Sequence, residues 1–189
     1  MLSEVFISGQ ILNNMKSQVD SFLYDYYVSN YTFFPVDRER VYKFFLSSLN
    51  YDSAFYCIKD EKILGILGYE YNLKSFINID FITYIKEFGF KEYSKNFFNL
   101  RKNFKKSSKN ILNVQLLTSK EEYDYLGLEI KMLKKLFEFT QKKAIKNIQV
   151  CVEEKNSKFL NMYKEMEFKF FKSKKNIHIM KKDISNFRV

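Results

Sequence analysis

Two β-rich runs within residues 54–71 constrain the fold of this chain more than any other feature of its sequence. They flank the tight polar turn Asp60-Glu61-Lys62, so they predict an antiparallel hairpin. Gly65 and Gly68 interrupt the second run, which predicts bulges or close backbone approaches there.

The segments around this hairpin predict alternating helices and strands. Before it, we expect a short strand at 5–12, a helix at 15–28 and a second helix that begins near Asp37. After it, the aromatic stretch 74–110 predicts a helical insertion that ends in a basic loop. The apolar periodicity then predicts, in order, a strand at 111–118, a helix at 127–144, a strand at 147–152, a short helix at 159–166, and strands at 168–171 and 177–180. With no repeat and no linker rich in Pro or Gly, residues 1–189 are expected to form one domain.

The composition excludes several classes of protein. The 189 residues are 46% apolar and 19% aromatic, which rules out intrinsic disorder. Cys57 and Cys151 are too few for a disulfide scaffold, and a single histidine, His178, argues against a zinc site, so no metal is expected. The sequence begins without a basic segment of the secretory type, and its longest apolar run, 63–69, is too short to cross a membrane. We expect a cytoplasmic protein with no membrane contact.

The net charge of +10 is carried mostly by lysine. Of the 32 basic residues, 28 are Lys, and Lys, Asn, Ile, Phe and Tyr all have AT-rich codons, so part of the charge reflects composition. The distribution is uneven, since residues 86–189 hold 25 basic and 12 acidic residues. This half favours anionic ligands such as phosphates, whereas nucleic-acid binding is not favoured because no recognisable binding motif accompanies the charge.

The segment from Asn156 to Phe168 resembles the last conserved segment of the GNAT superfamily of acyl-CoA-dependent N-acetyltransferases. In that family an Asn after the fifth strand is followed by a Tyr seven residues later and by a Phe five residues after that. Asn156, Tyr163 and Phe168 match these positions. The resemblance covers residues 111–180 most fully, extends to 54–71, and for the N-terminal helices is topological only.

The resemblance implies a mixed α+β fold: a central, twisted, mostly antiparallel sheet flanked by helices, with the insertion 74–110 between strands 3 and 4. It also implies acetyl-CoA as co-substrate. Residues 124–129 match the family's Arg/Gln-x-x-Gly-x-Gly/Ala loop, whose N–H groups hold the CoA diphosphate at a helix N-terminus. The implied cofactor-binding residues are Leu116, Leu117, Thr118, Tyr125, Leu126, Gly127, Leu128, Glu129, Ile130 and Asn156.

Three acidic residues depart from the family pattern. Asp124 replaces a basic or amide residue, Glu129 replaces Gly or Ala, and Glu167 replaces the Gly before Phe168. Carboxylates beside a diphosphate repel it, although acidic residues in the first turn of a helix also complement its dipole. The diphosphate-binding loop is therefore degenerate, and Lys131, Lys134 and Lys135 are near enough in sequence to offset the repulsion.

The resemblance also implies the catalytic groups. A backbone N–H around 116–118 would hold the thioester carbonyl oxygen, and Tyr163 would protonate the departing thiolate. Glu70, with Glu121 and Glu122, is a candidate general base. Each of these residues also has a purely structural interpretation, Tyr163 as a core aromatic and the glutamates as surface carboxylates.

The function expected from the sequence is thus an N-acetyltransferase that acts on an amine of a small molecule or peptide. The resemblance implies that residues 22–31 and the insertion 74–110 line the acceptor site, and the aromatic residues of these segments also suit ordinary core packing. Two alternatives stay open: a catalytically impaired GNAT-fold protein that binds or regulates, and, least favoured, a basic nucleic-acid-binding domain. A homodimer is compatible with the sequence.

Overall fold

The structure is a computed structural model that describes residues 5–30, 43, 47–78, 82, 85–86, 88–89, 110–174 and 176–185. For residues 27–30 and 124–126 it describes the backbone only. The helices are α1 (Lys16–Asn30), α2 (Leu128–Lys142) and α3 (Ser157–Glu165). The strands are β1 (Phe6–Ser8), β2 (Ala54–Lys59), β3 (Lys62–Tyr71), β4 (Lys74–Ser75), β5 (Ile111–Ser119), β6 (Asn147–Glu153), β7 (Lys169–Lys174) and β8 (Ile177–Asp183).

The strands form one mixed sheet in the order β1-β2-β3-β5-β6-β8-β7, with the short β4 added to β3. Neighbouring described strands are antiparallel except β5 and β6, which run parallel. Helix α2 supplies the crossover between these two strands, as a parallel connection requires. The predicted mixed α+β class with a mostly antiparallel sheet is confirmed.

The hairpin of β2 and β3 forms as the sequence predicts. Asp60 and Glu61 adopt positive φ angles of 48° and 57°, the backbone twist that a two-residue hairpin turn needs. Both glycines of β3 mark close approaches. A Cβ at Gly65 would lie 2.9 Å from Cε of Met132, and one at Gly68 would lie 2.1 Å from Cδ1 of Phe76.

The sheet separates two apolar cores. On one face, α2 and α3 pack with Leu67, Leu117 and Ile148 among the buried residues. On the other face, α1 packs through Val19 and Leu23, together with Met15 just before the helix, and the three lie at helical spacing. Because both faces are covered, β2 and β3 are buried along nearly their whole length.

The prediction of a helical insertion at 74–110 is wrong for the first residues of this segment. Residues 74–75 form β4 against β3, and Ile77 makes an antiparallel bridge to Leu49. At the turn of Asn72 and Leu73, where both residues have positive φ, the chain reverses direction and pairs with β3 instead of beginning a helix. Residues 82, 85, 86, 88 and 89 are helical, and the rest of the predicted insertion lies outside the described residues. So does most of the helix expected from Asp37.

None of the described helices is long and apolar enough to cross a membrane.

Candidate active site

Among the described strands, the one parallel pair, β5 and β6, separates to leave a gap. β5 and β6 are paired at Ile111, Leu112 and Asn113 and no further, although β5 continues to Ser119 and β6 to Glu153. Residues 114–119 of β5 thus have no strand on this side in the described part of the chain. We call this gap the wedge. Backbone N–H and C=O groups along it are available to a ligand that inserts between the strands.

A bulge in β5 lies at the narrow end of the wedge. Gly68 pairs with Leu116 and Tyr69 with Val114, so Gln115 is an extra residue on β5. Its side chain is fixed, because Nε2 donates to Ser75 Oγ at 2.7 Å and Oε1 accepts from the N–H of Ile77 at 3.0 Å. The bulge redirects the strand where the backbone becomes unpaired.

A cleft of about 820 Å³ lies beside the wedge, within the size range of ligand-binding pockets. One side is formed by α1, and the other by the end of β5 and the first turns of α2 and α3. We call this space the cleft, and it is lined by Ser17, Gln18, Ser21, Phe22, Asp25, Tyr26, Ile63, Leu117, Thr118, Ser119, Lys120, Glu121, Glu129, Asn156, Lys158 and Phe159.

The start of α2 is a helix end without a side-chain cap, and Glu129 in its first turn lines the cleft. Gly127 is the N-cap residue, has left-handed φ and ψ angles of 58° and 42°, and makes no side-chain capping bond. A Cβ at this position would meet nothing within 4 Å, so the space beside it is open. The N–H groups of a helix N-terminus attract anions.

Glu129 lies in the first turn of α2 but does not point freely into this space. Its side chain is 8% exposed. Oε1 accepts a hydrogen bond from Ser119 Oγ at 2.7 Å, and Nζ of Lys158 is 3.9 Å from the same oxygen. The negative charge that departs from the family pattern is therefore partly neutralised by a hydroxyl donor and an ammonium group.

Asn156 lines the cleft and also begins α3. Its Oδ1 accepts a hydrogen bond from the N–H of Phe159 at 3.2 Å, which is an N-cap interaction. This bond fixes the side chain and leaves the Nδ2 group oriented as a donor. Asn156 thus caps the N-terminus of α3 and also lines the cleft.

Tyr163 lies one helical turn beyond Phe159, behind it relative to the cleft, and is 4% exposed. Its ring centroid is 6.1 Å from that of Phe159 and 5.2 Å from that of Phe168. Burial raises the pKa of the Tyr163 phenol well above its usual value, and nearby Tyr26 and Glu129 raise this pKa further. The hydroxyl keeps its proton at neutral pH. The structure therefore places Tyr163 in the core, behind Phe159, and Tyr163 does not itself line the cleft.

Glu70 is separated from the other predicted site residues. It is buried on β3 opposite Asn113 and Ser75, and Asn113 Nδ2 donates to its Oε2 at 3.5 Å. Leu117, the first residue of β5 that lines the cleft, is four residues beyond Asn113, roughly 13 Å along the strand. Glu121, by contrast, lines the cleft.

The structure brings Leu117, Thr118, Glu129 and Asn156 together at the cleft. The side chains of Leu116 and Leu128 are buried in the two opposite cores, and Ile130 is half-buried on α2. The backbone of Tyr125 and Leu126 ends a 3-10 helix, Glu121–Leu126, that leads to Gly127.

Sequence reasoning missed two groups of cleft residues. One is a polar stripe on α1, with Ser17, Ser21 and Asp25 four residues apart, which the aromatic residues of this helix obscured. The other is the pair Lys120 and Lys158, two among many lysines, which only the tertiary structure singles out. No group of three metal-ligating side chains occurs among the described residues.

No protein-family model matches the sequence, and no curated protein matches it at a significant level. Solved structures do match. A GNAT-family acetyltransferase of Desulfovibrio desulfuricans aligns with a TM-score of 0.61 and 10% identity, over 96% of this chain and 100% of the other. The PaiA N-acetyltransferase of Thermoplasma acidophilum, in complex with coenzyme A, gives 0.58 and 12%, over 95% and 99%. The ribosomal-protein-S18-alanine N-acetyltransferase of Escherichia coli gives 0.57 and 11%, over 98% and 100%.

These likenesses cover nearly the whole of each chain, although the sequences have diverged very far. The chain therefore has the fold of the GNAT acetyltransferases, as its last segment predicts.

Proposed function

We propose that this protein is an N-acetyltransferase that transfers an acetyl group from acetyl-CoA to an amine of a small molecule or peptide. The observation that carries the proposal is the wedge between β5 and β6, which opens beside the uncapped N-terminus of α2. A strand edge, a helix end and a cleft that meet in this way suit a long ligand with an anionic end. Coenzyme A has that shape and charge.

The described residues fit such a ligand. The unpaired edge of residues 114–119 offers hydrogen bonds to the amides of a pantetheine arm, and Asn156 Nδ2 offers another. The open space at Gly127 leaves the first N–H groups of α2 accessible to a diphosphate. When bound, acetyl-CoA supplies the activated acetyl group as a thioester.

Two features of the chain would promote the transfer. A backbone N–H of residues 116–118 would stabilise the charge that develops on the carbonyl oxygen, because a fixed donor there needs no reorganisation. Tyr163 would give a proton to the departing thiolate, as the resemblance to the family implies; its phenol is protonated and lies one helical turn from Phe159, which lines the cleft. Of the acids considered as general base, Glu121 lines the cleft and Glu70 does not, so we assign deprotonation of the amine to Glu121.

The impaired-protein alternative depends on Asp124 and Glu129 repelling the diphosphate. For Glu129, the bond from Ser119 and the proximity of Lys158 weaken that argument. The acetyltransferase proposal is therefore favoured over a binding protein without activity.

The test combines acetyl-CoA titration by calorimetry with thiol release in the presence of a panel of primary amines and short peptides. We expect saturable binding of acetyl-CoA and amine-dependent release of CoA. Tyr163→Phe should keep acetyl-CoA affinity within about twofold but lower turnover by about 10²-fold, as loss of a general acid does. Tyr71→Phe, a half-buried tyrosine on β3, is the matched control and should retain turnover.

Two results would contradict the proposal. Absence of any binding heat at millimolar acetyl-CoA would overturn the function itself. Equal turnover of Tyr163→Phe and Tyr71→Phe would overturn the role of Tyr163 while leaving the function standing.

A further inference from the structure

Resting on the proposed function, we propose that Lys158 and Lys120 bind the diphosphate of CoA and replace the basic residue missing from segment 124–129. Lys158 has a second role in this proposal, since it neutralises Glu129 and so prevents that carboxylate from repelling the ligand. In this proposal, the positive charge that the family places in the loop before α2 is supplied in this chain from the start of α3 and the end of β5.

The position of Lys158 supports this assignment. It lies in the first turn of α3 and lines the cleft, and its side chain is 59% exposed. Its Nζ is 3.9 Å from Oε1 of Glu129, which belongs to the first turn of α2. The ammonium group therefore lies next to the helix end where a diphosphate is expected to bind, on a side chain that is mostly exposed.

Lys120 approaches the same region from β5. It follows the last residue of that strand and lines the cleft, and its main-chain N–H donates to the carbonyl of Leu64 at 2.9 Å. This bond fixes the backbone from which the side chain extends. Lys120 and Lys158 are the lysines among the described residues that line the cleft.

Glu129 explains why a cation is required at this place. Ser119 holds its carboxylate, and only 8% of the side chain is exposed, so the charge cannot move far from the helix end. A diphosphate that approaches α2 meets both the favourable helix dipole and this fixed negative charge. Lys158 is close enough to Glu129 to offset the second effect while its exposed part contacts the phosphates.

The experiment compares two probes that share the pantetheine arm. Coenzyme A adds the diphosphate together with its phosphorylated adenosine, whereas pantetheine carries only the arm that would occupy the wedge. Calorimetry of the full chain with each probe is repeated for Lys158→Gln and Lys120→Gln. The matched control is Lys155→Gln, because Lys155 is an exposed lysine that pairs with Glu153 at 3.1 Å and does not line the cleft.

We expect Lys158→Gln to weaken CoA binding about tenfold and Lys120→Gln about threefold, with pantetheine affinity changed less than about twofold in both. Lys155→Gln should leave both affinities as in the wild type. Adding Glu129→Gln to Lys158→Gln should recover at least about half of the lost affinity on a logarithmic scale, because the unneutralised carboxylate is then gone.

The outcomes separate this inference from the function on which it rests. If the wild-type chain binds neither CoA nor pantetheine, the proposed function fails. If the wild type binds CoA and Lys158→Gln binds it equally well, the inference is wrong and the function stands. The same holds if Lys158→Gln loses affinity for pantetheine to the same extent as for CoA. Failure of Glu129→Gln to recover affinity would overturn the neutralising role of Lys158.

Discussion

Single residues of this chain show which backbone positions tolerate a side chain. Gly68 faces Phe76 so closely that its missing Cβ is what allows this fully buried ring to cover β3. The sequence predicts a close approach at Gly65 and Gly68 from their spacing in an apolar strand. It could not predict the partners, Met132 and Phe76, because they come from a helix 67 residues away and from the bend that follows β4.

We predict that Gly68→Ala destabilises the fold by about 1–3 kcal/mol, since its Cβ would overlap the Phe76 ring at 2.1 Å. In a Phe76→Leu background, which removes the overlapping ring, the same change should cost about 1 kcal/mol less. Chemical denaturation of the four proteins measures both values. Gly127→Ala is a useful comparison, because there the Cβ has open space and only the left-handed backbone is strained. Equal costs of Gly68→Ala in the two backgrounds would contradict the overlap.

Elements of this fold are linked by contacts that sequence periodicity does not reveal. From residue 111 onward the strands and helices are close to the predicted ones, because their apolar periodicities are strong and short turns separate them. At residues 74–78 the prediction is wrong, since residues 74–75 pair with β3, Ile77 bridges to Leu49, and Phe76 packs over Gly68 of β3. A further link joins β8 to the turn between α3 and β7, through Lys182 and Glu167.

Glu167 occupies the family's glycine position with a φ of 64°, the left-handed region that favours Gly. Its carboxylate accepts a hydrogen bond of 2.6 Å from Lys182 Nζ, a side chain only 5% exposed. This bond, followed by the charge of Lys182, lowers the pKa of Glu167. The pair therefore offsets a strained backbone conformation.

We predict that Glu167→Gln lowers the melting temperature and that Glu167→Gly lowers it less, because Gly removes the backbone strain as well as the carboxylate. The lowered pKa means that the pair contributes stability above the ordinary glutamate pKa and loses it as pH falls through the folded-state value. The difference between wild type and Glu167→Gln should thus shrink below about pH 4. Thermal melts from pH 3 to 7 measure it, and a difference independent of pH would count against the ion pair.

At the scale of the whole molecule, the candidate site forms where distant segments meet. The wedge depends on β5 and β6, which begin 36 residues apart, and the cleft is completed by α1, nearly a hundred residues before β5. The sequence predicts the strands, the Asn156–Tyr163–Phe168 pattern and several cleft residues from the resemblance. It could not predict where pairing of β5 and β6 stops, nor which of 28 lysines line the cleft, because both are properties of the assembled sheet.

Hydrogen exchange with and without CoA shows directly whether the wedge is the cofactor site. We predict that CoA increases protection of those amides of residues 114–119 that point away from β3, and of the first turn of α2, because the ligand pairs with an otherwise open strand edge and helix end. Residues 111–113, already paired with β6, should change little and serve as the internal control. Unchanged exchange at residues 114–119 under saturating CoA would contradict binding of CoA in the wedge.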